Sequence, residues 1–283
     1  MRNTAGESKE MKISPLCKRV GTTRQNYYKH RVSMKKKEID NEFIVDLVRR
    51  ERHIQPRLGG RKMLSIIGGE LKTQSAFIGR DKFFSLLKEK NLLVERKKSK
   101  PKTTNSRHTL PVFHNEINGM EITAPNQAWC SDLTYIGTME GFMYASLITD
   151  MYSRKIVGAY IGDSLETYGC IAALEKALAD LPLDKHPIHH SDRGTQYCCH
   201  EYVKRLMERK MTISMTEVNH CYENAMAERV NGILKQEYDW DQIFKTKQQA
   251  ITAFYQAVDI YNNRRPHLSL KYSIPAKVHS KAS

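Results

Sequence analysis

His189-His190-Ser191-Asp192-Arg193-Gly194 and Asn224-Ala-Met-Ala-Glu228-Arg-Val-Asn231-Gly-Ile-Leu-Lys235, with thirty-five residues between Asp192 and Glu228, decide how this chain is read. The first stretch closes a short apolar run from Pro187 to His190 that reads as a buried strand. The second has helical periodicity, with Val230, Ile233 and Leu234 turned toward a core. Asn224, Glu228, Asn231 and Lys235 share the other, polar face at spacings of four, three and four. A carboxylate at a strand end and another on a nearby helix can meet at one hard cation, which oxygen ligands hold best.

Working outward, a third carboxylate fits the same scheme. Asp132 interrupts the apolar strand Trp129-Cys-Ser-Asp132-Leu-Thr134-Tyr-Ile136, where an unpaired charge costs several kcal/mol or titrates away. Strands are also expected at 143–149 and 155–161, with a hairpin turn at Met139-Glu-Gly141. An amphipathic helix follows at 165–181, with Ile171, Leu174 and Leu178 on one face. After the strand at 187–191 come a helix near 199–210, a short strand at 211–216 and the helix of Glu228. Three meandering strands, then helix, strand, helix, strand and helix, describe an α/β fold with a mixed sheet covered by helices. Oxygen donors from two strands and a helix are what a two-magnesium phosphoryl-transfer site needs. A lone aspartate more often pairs with an arginine or caps an element, and Asp150, four residues before Arg154, is read as structural on that ground.

The charge distribution points to the partner. Residues 1–110 carry 28 Lys and Arg against 11 Asp and Glu, whereas residues 111–283 carry 18 against 20; the whole chain is +15. A basic front half suits an acidic polymer. No run of eighteen apolar residues occurs and the N-terminus has no apolar signal core, so the expected location is the cytoplasm, at the nucleoid when DNA-bound. The six cysteines, at 17, 130, 170, 198, 199 and 221, form no Cys-x-x-Cys pair and are read as reduced thiols. The Cys198-Cys199-His200 cluster lacks the ligand spacing of a structural zinc site, and its part in DNA contact or packing is left open.

Residues 11–31 have the form of a helix-turn-helix. Leu16 and Val20 face a core, Gly21 makes the turn, Thr22 or Thr23 caps a second helix, and that helix presents Arg24, Gln25, Asn26 and Lys29 to DNA. A helical hairpin with a solvated basic face is an equally weighted alternative. Residues 39–95 read as a second helical module, broken by Pro56 and the Gly59-Gly60 pair, with Arg57, Arg61 and Lys62 as DNA contacts. From 96 to 122 the chain reads as a basic linker whose Lys97, Lys98 and Lys100 are suited to phosphates. The division is therefore 1–38, 39–95, 96–122 and 123–283, the last being the catalytic core with a helical tail.

Taken together, the Asp132 strand, Thr149-Asp-Met-Tyr-Ser-Arg-Lys-Ile-Val-Gly158, His190-Ser-Asp192-Arg-Gly194-Thr-Gln196-Tyr197 and the Glu228 helix resemble the integrase-type DDE transposases of bacterial insertion sequences, within them the insertion sequence 3 family. The 35-residue gap, the basic Lys235 seven after the glutamate, the tail Tyr261-Asn-Asn-Arg264-Arg-Pro266-His267 and the upstream Pro56-Arg57-Leu-Gly59-Gly-Arg61-Lys62 belong to the same likeness. The resemblance implies an RNase H-like, retroviral-integrase-type core in which Asp132, Asp192 and Glu228 hold two Mg²⁺, with Mn²⁺ as a substitute. It implies metal-dependent cleavage at the element's 3′ ends and strand transfer by the freed 3′-OH. Arg193, Asn231, Lys235, Arg264 and His267 are then expected DNA contacts near the active site. Expected partners are double-stranded DNA as terminal repeats and target, further copies of the chain, and a first-reading-frame protein. No sustained heptad run is present, so the chain is read as the second-frame product. The alternative is a DNA-binding regulator or inhibitor of transposition without turnover.

Overall fold

Along residues 128–138 nearly every side chain is buried, which is what a central strand covered on both faces requires. The computed structural model of the chain describes residues 13–95, 110–217 and 224–281. In it, β1 (Ala128–Thr138), β2 (Gly141–Asp150) and β3 (Ile156–Gly162) form an antiparallel meander. β4 (Ile188–Ser191) and β5 (Ile213–Met215) then add in parallel on the other side of β1, giving the order β3-β2-β1-β4-β5. This is the RNase H-like arrangement that the sequence led us to expect. The β1–β2 hairpin turns at 139–140, and Gly141 takes a φ of 108°, a value that strains any side-chain-bearing residue.

Helices cover the two faces. α5 (Thr167–Ala179), α6 (Thr195–Cys198) and α7 (His200–Glu208) build one core with Trp129, Ile148, Met211, Ile213 and Met215. A Cβ on Gly158 of β3 would lie 2.2 Å from the Ala173 carbonyl oxygen, so glycine is what lets α5 lie against this strand. α8 (Ala225–Glu237) and α9 (Lys247–Asn263) build the second core with Ile136, Ala145, Leu147, Ile161 and the stacked pair Trp240–Phe254. Each large side chain buried there contributes roughly 1.5–3 kcal/mol. α10 (Pro275–Lys281) packs near the end of α9.

One local reading is extended here and one corrected. The helix expected at 199–210 is α7, and a short additional helix, α6, precedes it, the two separated by Cys199, whose extended backbone ends α6 and whose sulfur accepts the N–H of Tyr202 to cap α7. The linker expected over 96–122 contributes to the core at its far end. Phe113 packs on the first core, the His114 carbonyl accepts the Met215 N–H, and the Glu116 N–H donates to Ser214 Oγ. Residues 113–116 thus run along β5, which would otherwise be a bare sheet edge.

The chain divides into two compact units. One is the described part of Met1–Arg50 with Ile67–Leu92; the other is Glu51–Ile66 with the described part of Leu93–Ser283. In the first, α1 (Ile13–Arg19) is followed by a turn through Gly21, φ 70°, and by α2 (Arg24–Ile54). Thr23 Oγ1 accepts the Asn26 N–H, the capping bond expected there. Leu16 and Val20, expected to face inward, are exposed, Val20 at 77 %; Cys17 is the buried residue of α1 instead. α2 runs unbroken through residue 38, so the boundary drawn there falls inside a helix. Ile44, Leu47, Val48, Ile67, Leu71, Phe83, Leu86 and Leu87, from α2, α3 (Gly60–Thr73) and α4 (Arg80–Glu89), are buried. The break between α2 and α3 falls at Pro56 to Gly59, where the sequence placed it.

Candidate active site

Ser131 on β1 pairs in parallel register with Ser191 on β4, so Asp132 and Asp192 are the next residues along two neighbouring strands. Parallel strands lie about 4.8 Å apart, and this topology alone brings two of the expected carboxylates side by side. Asp132 is buried on the helix-covered part of β1 and is held at both oxygens. Its own strand supplies one donor, Leu133 N–H at 2.9 Å to Oδ1; α8 supplies the other, Asn231 Nδ2 at 2.6 Å to Oδ2. Asp192 is half-buried past the end of β4, and its Oδ1 accepts the Gly194 N–H at 3.0 Å in an Asx-type turn.

Glu228 is exposed in the first turn of α8. Asn224 and Asn231, on the same helix face, both reach β1: Asn224 Nδ2 donates to the Ser131 carbonyl at 3.1 Å, and Asn231 donates to Asp132. Glu228 therefore lies on the side of α8 that is turned to the β1 aspartate. Among the described residues, no three His, Cys, Asp or Glu side chains converge closely enough to hold a metal ion. The donor set nevertheless suits a hard cation: three carboxylates, with the Asn231 Oδ1 buried beside Asp132 without a hydrogen-bond partner.

Beneath the aspartates lies a buried hydrogen-bonded layer. The His189 Nε2 lies 2.7 Å from Ser131 Oγ and 2.9 Å from Tyr202 Oη, while His190 Nδ1 meets Ser214 Oγ at 2.9 Å. Burial, with the neighbouring His190, pushes the His189 pKa down to about 3, so the imidazole is neutral. Cys198 is buried and Cys199 caps α7; both take structural roles, and the exposed His200 opens α7.

The residues expected to meet DNA differ in how they are presented. Arg24, Gln25, Asn26 and Lys29 are exposed on the first turns of α2, and Arg61 is exposed on α3. Lys97, Lys98 and Lys100 lie outside the described residues. Asn231 is 1 % exposed, so its side chain serves Asp132 rather than a groove. Lys235, one turn on, sets its ammonium 4.6 Å above the Tyr135 ring. Arg193 donates to the Thr216 carbonyl at 2.6 Å and Arg57 to the Glu95 carbonyl at 2.7 Å. Lys62 pairs with Glu237 at 2.6 Å, and Arg264 holds Glu51 through two bonds of 3.0 and 2.7 Å. The ring of His267 meets Ser269 Oγ, and burial, aided by the charges of Arg265, Arg154 and Lys62, lowers its pKa to about 4.

Asp150 is structural, but with other partners than expected. It accepts from Ser153 Oγ at 2.5 Å and from the Ser153 and Asn126 N–H groups, and His279 stands 3.6 Å away. Burial opposes its charge, yet the hydrogen bonds of His279, Ser153 and Asn126 outweigh it and depress its pKa. The Arg154 side chain turns instead to Met226. Sequence reasoning passed over Arg265, the neighbour of the residue it chose. Arg265 is 2 % exposed and grips Glu237 at 2.7 and 2.9 Å, the same carboxylate that Lys62 contacts.

Known proteins resemble the chain over most of its length. Residues 122–221 match the integrase core domain family, and residues 209–275 match a second integrase core domain model. An uncharacterized 31 kDa protein of insertion element IS600 from Shigella sonnei is 34 % identical over 273 residues, covering 94 % of this chain and 98 % of that one. The transposase for IS629 from Shigella sonnei is 35 % identical over 63 % of this chain, which spans only 60 % of its length. Transposase InsF for IS3A from Escherichia coli strain K12 is 30 % identical, with 56 % of each chain covered. Among solved structures, a catalytic core of HTLV-2 integrase in complex with magnesium superposes with a TM-score of 0.44 at 18 % identity, over 55 % of this chain and 97 % of that one.

Proposed function

Because the chain belongs to the integrase-core family of insertion-sequence transposases, which are polynucleotidyl transferases, we propose that it cleaves the 3′ ends of its own element and joins them to DNA. The observation that carries this reading is the register pairing that sets Asp132 beside Asp192, with α8 fastened to the same strand through Asn231. Asp132, Asp192 and Glu228 would be the ligands of two Mg²⁺ ions, or of Mn²⁺ in their place. Bound there, such ions would supply Lewis acidity at the phosphate and a more nucleophilic attacking oxygen.

The chain's own part is to place and hold oxygens. Asn231 and Leu133 fix the Asp132 carboxylate in one rotamer, and the Gly194 N–H does the same for Asp192. Glu228, on an exposed first turn, is the ligand with freedom to close on the pair when DNA arrives. Water attacks the phosphodiester at the element's end, freeing its 3′-OH and leaving the phosphate on the flanking 5′ end; that 3′-OH then attacks a phosphodiester of the target DNA and displaces the target's own 3′-OH, with no covalent enzyme intermediate. The exposed Arg24, Lys29 and Arg61 are suited to hold the flanking duplex through its phosphates. Membership of the insertion sequence 3 branch, a first-frame partner, assembly of several copies on DNA and a cytoplasmic, nucleoid-associated location belong to the same proposal. Among the described residues no helix is long and apolar enough to cross a membrane.

The test is strand cleavage of labelled duplex carrying the element's end, comparing the wild type with Asp192→Ala. Retention of DNA binding with loss of nicking is the expected outcome. Binding without nicking by the wild type, even with a first-frame partner added, would favour a regulator of transposition.

A further inference from the structure

One surface beside the carboxylates has no part in the scheme above. Tyr135 and Phe142, on β1 and β2, are 52 % and 59 % exposed and meet edge to face with ring centroids 5.6 Å apart. Large aromatic side chains left this open on a sheet are costly to keep in water, and such patches commonly mark a contact. Gly137, between them, carries no side chain to cover the pair, and Ile243, 72 % exposed, lies 3.7 Å from where its Cβ would be.

Two relations tie this pair to the active site. Tyr135 is three residues along β1 from Asp132, about 10 Å at strand rise, so the two side chains leave opposite faces of the strand, just beyond Ser131 where the pairing with β4 ends. Successive turns of α8 also reach the two residues in order, Asn231 to Asp132 and Lys235 to Tyr135. One side of α8 therefore reaches Asp132 from one face of β1 and, through the long Lys235 side chain, Tyr135 around the strand edge that β4 does not cover. Lys235 sets a positive charge over the Tyr135 ring, which matches a phosphate-bearing ligand and not a neutral apolar one.

We propose that the Tyr135 ring, held edge to face by Phe142, is a stacking platform for an unpaired base next to the scissile phosphate, with Lys235 taking the adjoining phosphate. The idea rests on the transposase reading and specifies how its substrate is held. A duplex end has to be melted locally before a phosphodiester can enter a cleft between a sheet and a helix. Opening a pair costs a few kcal/mol, and stacking a freed base on an aromatic ring recovers a comparable amount whatever the base.

The test uses the full chain and a terminal-repeat duplex with 2-aminopurine at the nucleotide flanking the cleavage point, read by fluorescence without metal. Wild type and Tyr135→Phe should change the signal as the base leaves its stack and docks. Tyr135→Ala and Phe142→Ala should bind the duplex but lose that change. In the cleavage assay the alanine variants should be slower by roughly tenfold on paired duplex, and a mismatch that leaves the flanking base unpaired should restore most of the rate. Equal fluorescence changes in wild type and Tyr135→Ala overturn the platform. So does a shift of the alanine variants to a smaller assembly with unchanged fluorescence, which would make the patch a contact between copies of the chain. A platform signal in a wild type that never cleaves would uphold the platform and sink the transposase reading.

Discussion

Asn231 Nδ2 donates to Asp132 Oδ2 across 2.6 Å, joining the helix of one candidate ligand to the strand of another. The contact makes Asn231 a positioning residue: it touches neither water nor groove, yet it sets the rotamer of a carboxylate that has to bind metal. Asn231→Ala should leave DNA binding intact and raise the metal concentration needed for half-maximal cleavage by about 10–100-fold, the usual cost of losing a partner of a metal ligand. A metal titration of the cleavage rate checks this. An unchanged midpoint would show that the bond has no bearing on the site.

The Glu237 cluster yields a stability prediction. Arg265 is almost fully buried and its charge is balanced by Glu237, so Arg265→Ala leaves a largely buried carboxylate with Lys62 as its remaining ion-pair partner among the described residues. A loss of about 3–5 kcal/mol is expected in denaturant unfolding. Burial opposes the charge of Glu237, but its bonds to Arg265 and Lys62 outweigh burial and hold its pKa below the ordinary 4.5. Its contribution is therefore complete above that value and is lost as the pH falls through the depressed folded pKa. Glu237→Gln should weaken the protein at neutral pH and flatten its acid limb.

His189 works in the next pH window. Burial keeps its folded pKa near 3 against an ordinary 6.5, so the unfolded chain takes up a proton that the folded chain refuses. The stability from keeping this ring neutral is present above 6.5 and declines as the pH falls from there toward 3. Urea midpoints measured between pH 7 and 5 should fall, and a conservative His189→Gln should reduce the slope. A slope unaffected by that substitution would remove His189 as its source.

Gly158→Ala tests the packing of α5 on the sheet. A methyl group 2.2 Å from the Ala173 carbonyl oxygen forces the helix to move, and overpacking of this kind costs about 1–3 kcal/mol or more. The thermal midpoint should drop accordingly, while a control Gly69→Ala, on open helix surface, should not lower it.

The mixed sheet with its opening meander, and the placing of Asp132 within a strand and Asp192 at a strand end, were legible because strand periodicity and the Asp-Arg-Gly turn are local signals; the order in which the strands lie side by side is set by long-range pairing that no local pattern carries. Leu16 and Val20 were misjudged because a seven-residue helix has too few apolar positions to define a face, and Cys17 proved to be its buried residue. The pairing of Arg264 with Glu51 links residues 213 apart, and nothing in either neighbourhood announces the other. Asn231 shows the same limit from the opposite side. Its place on the Glu228 face could be read, but a polar residue facing a cleft and one buried against Asp132 have the same helical spacing.

The most direct measurement is cleavage of an end-labelled terminal-repeat duplex by wild type and by Glu228→Gln, each with and without Mg²⁺. Glu228 is the carboxylate whose side chain is exposed and whose convergence on Asp132 and Asp192 the account requires. Nicks at the element boundary that need the metal and disappear in Glu228→Gln, with duplex binding unchanged, are the expected result. Nicking by Glu228→Gln at close to the wild-type rate would contradict the three-carboxylate site and with it the central claim.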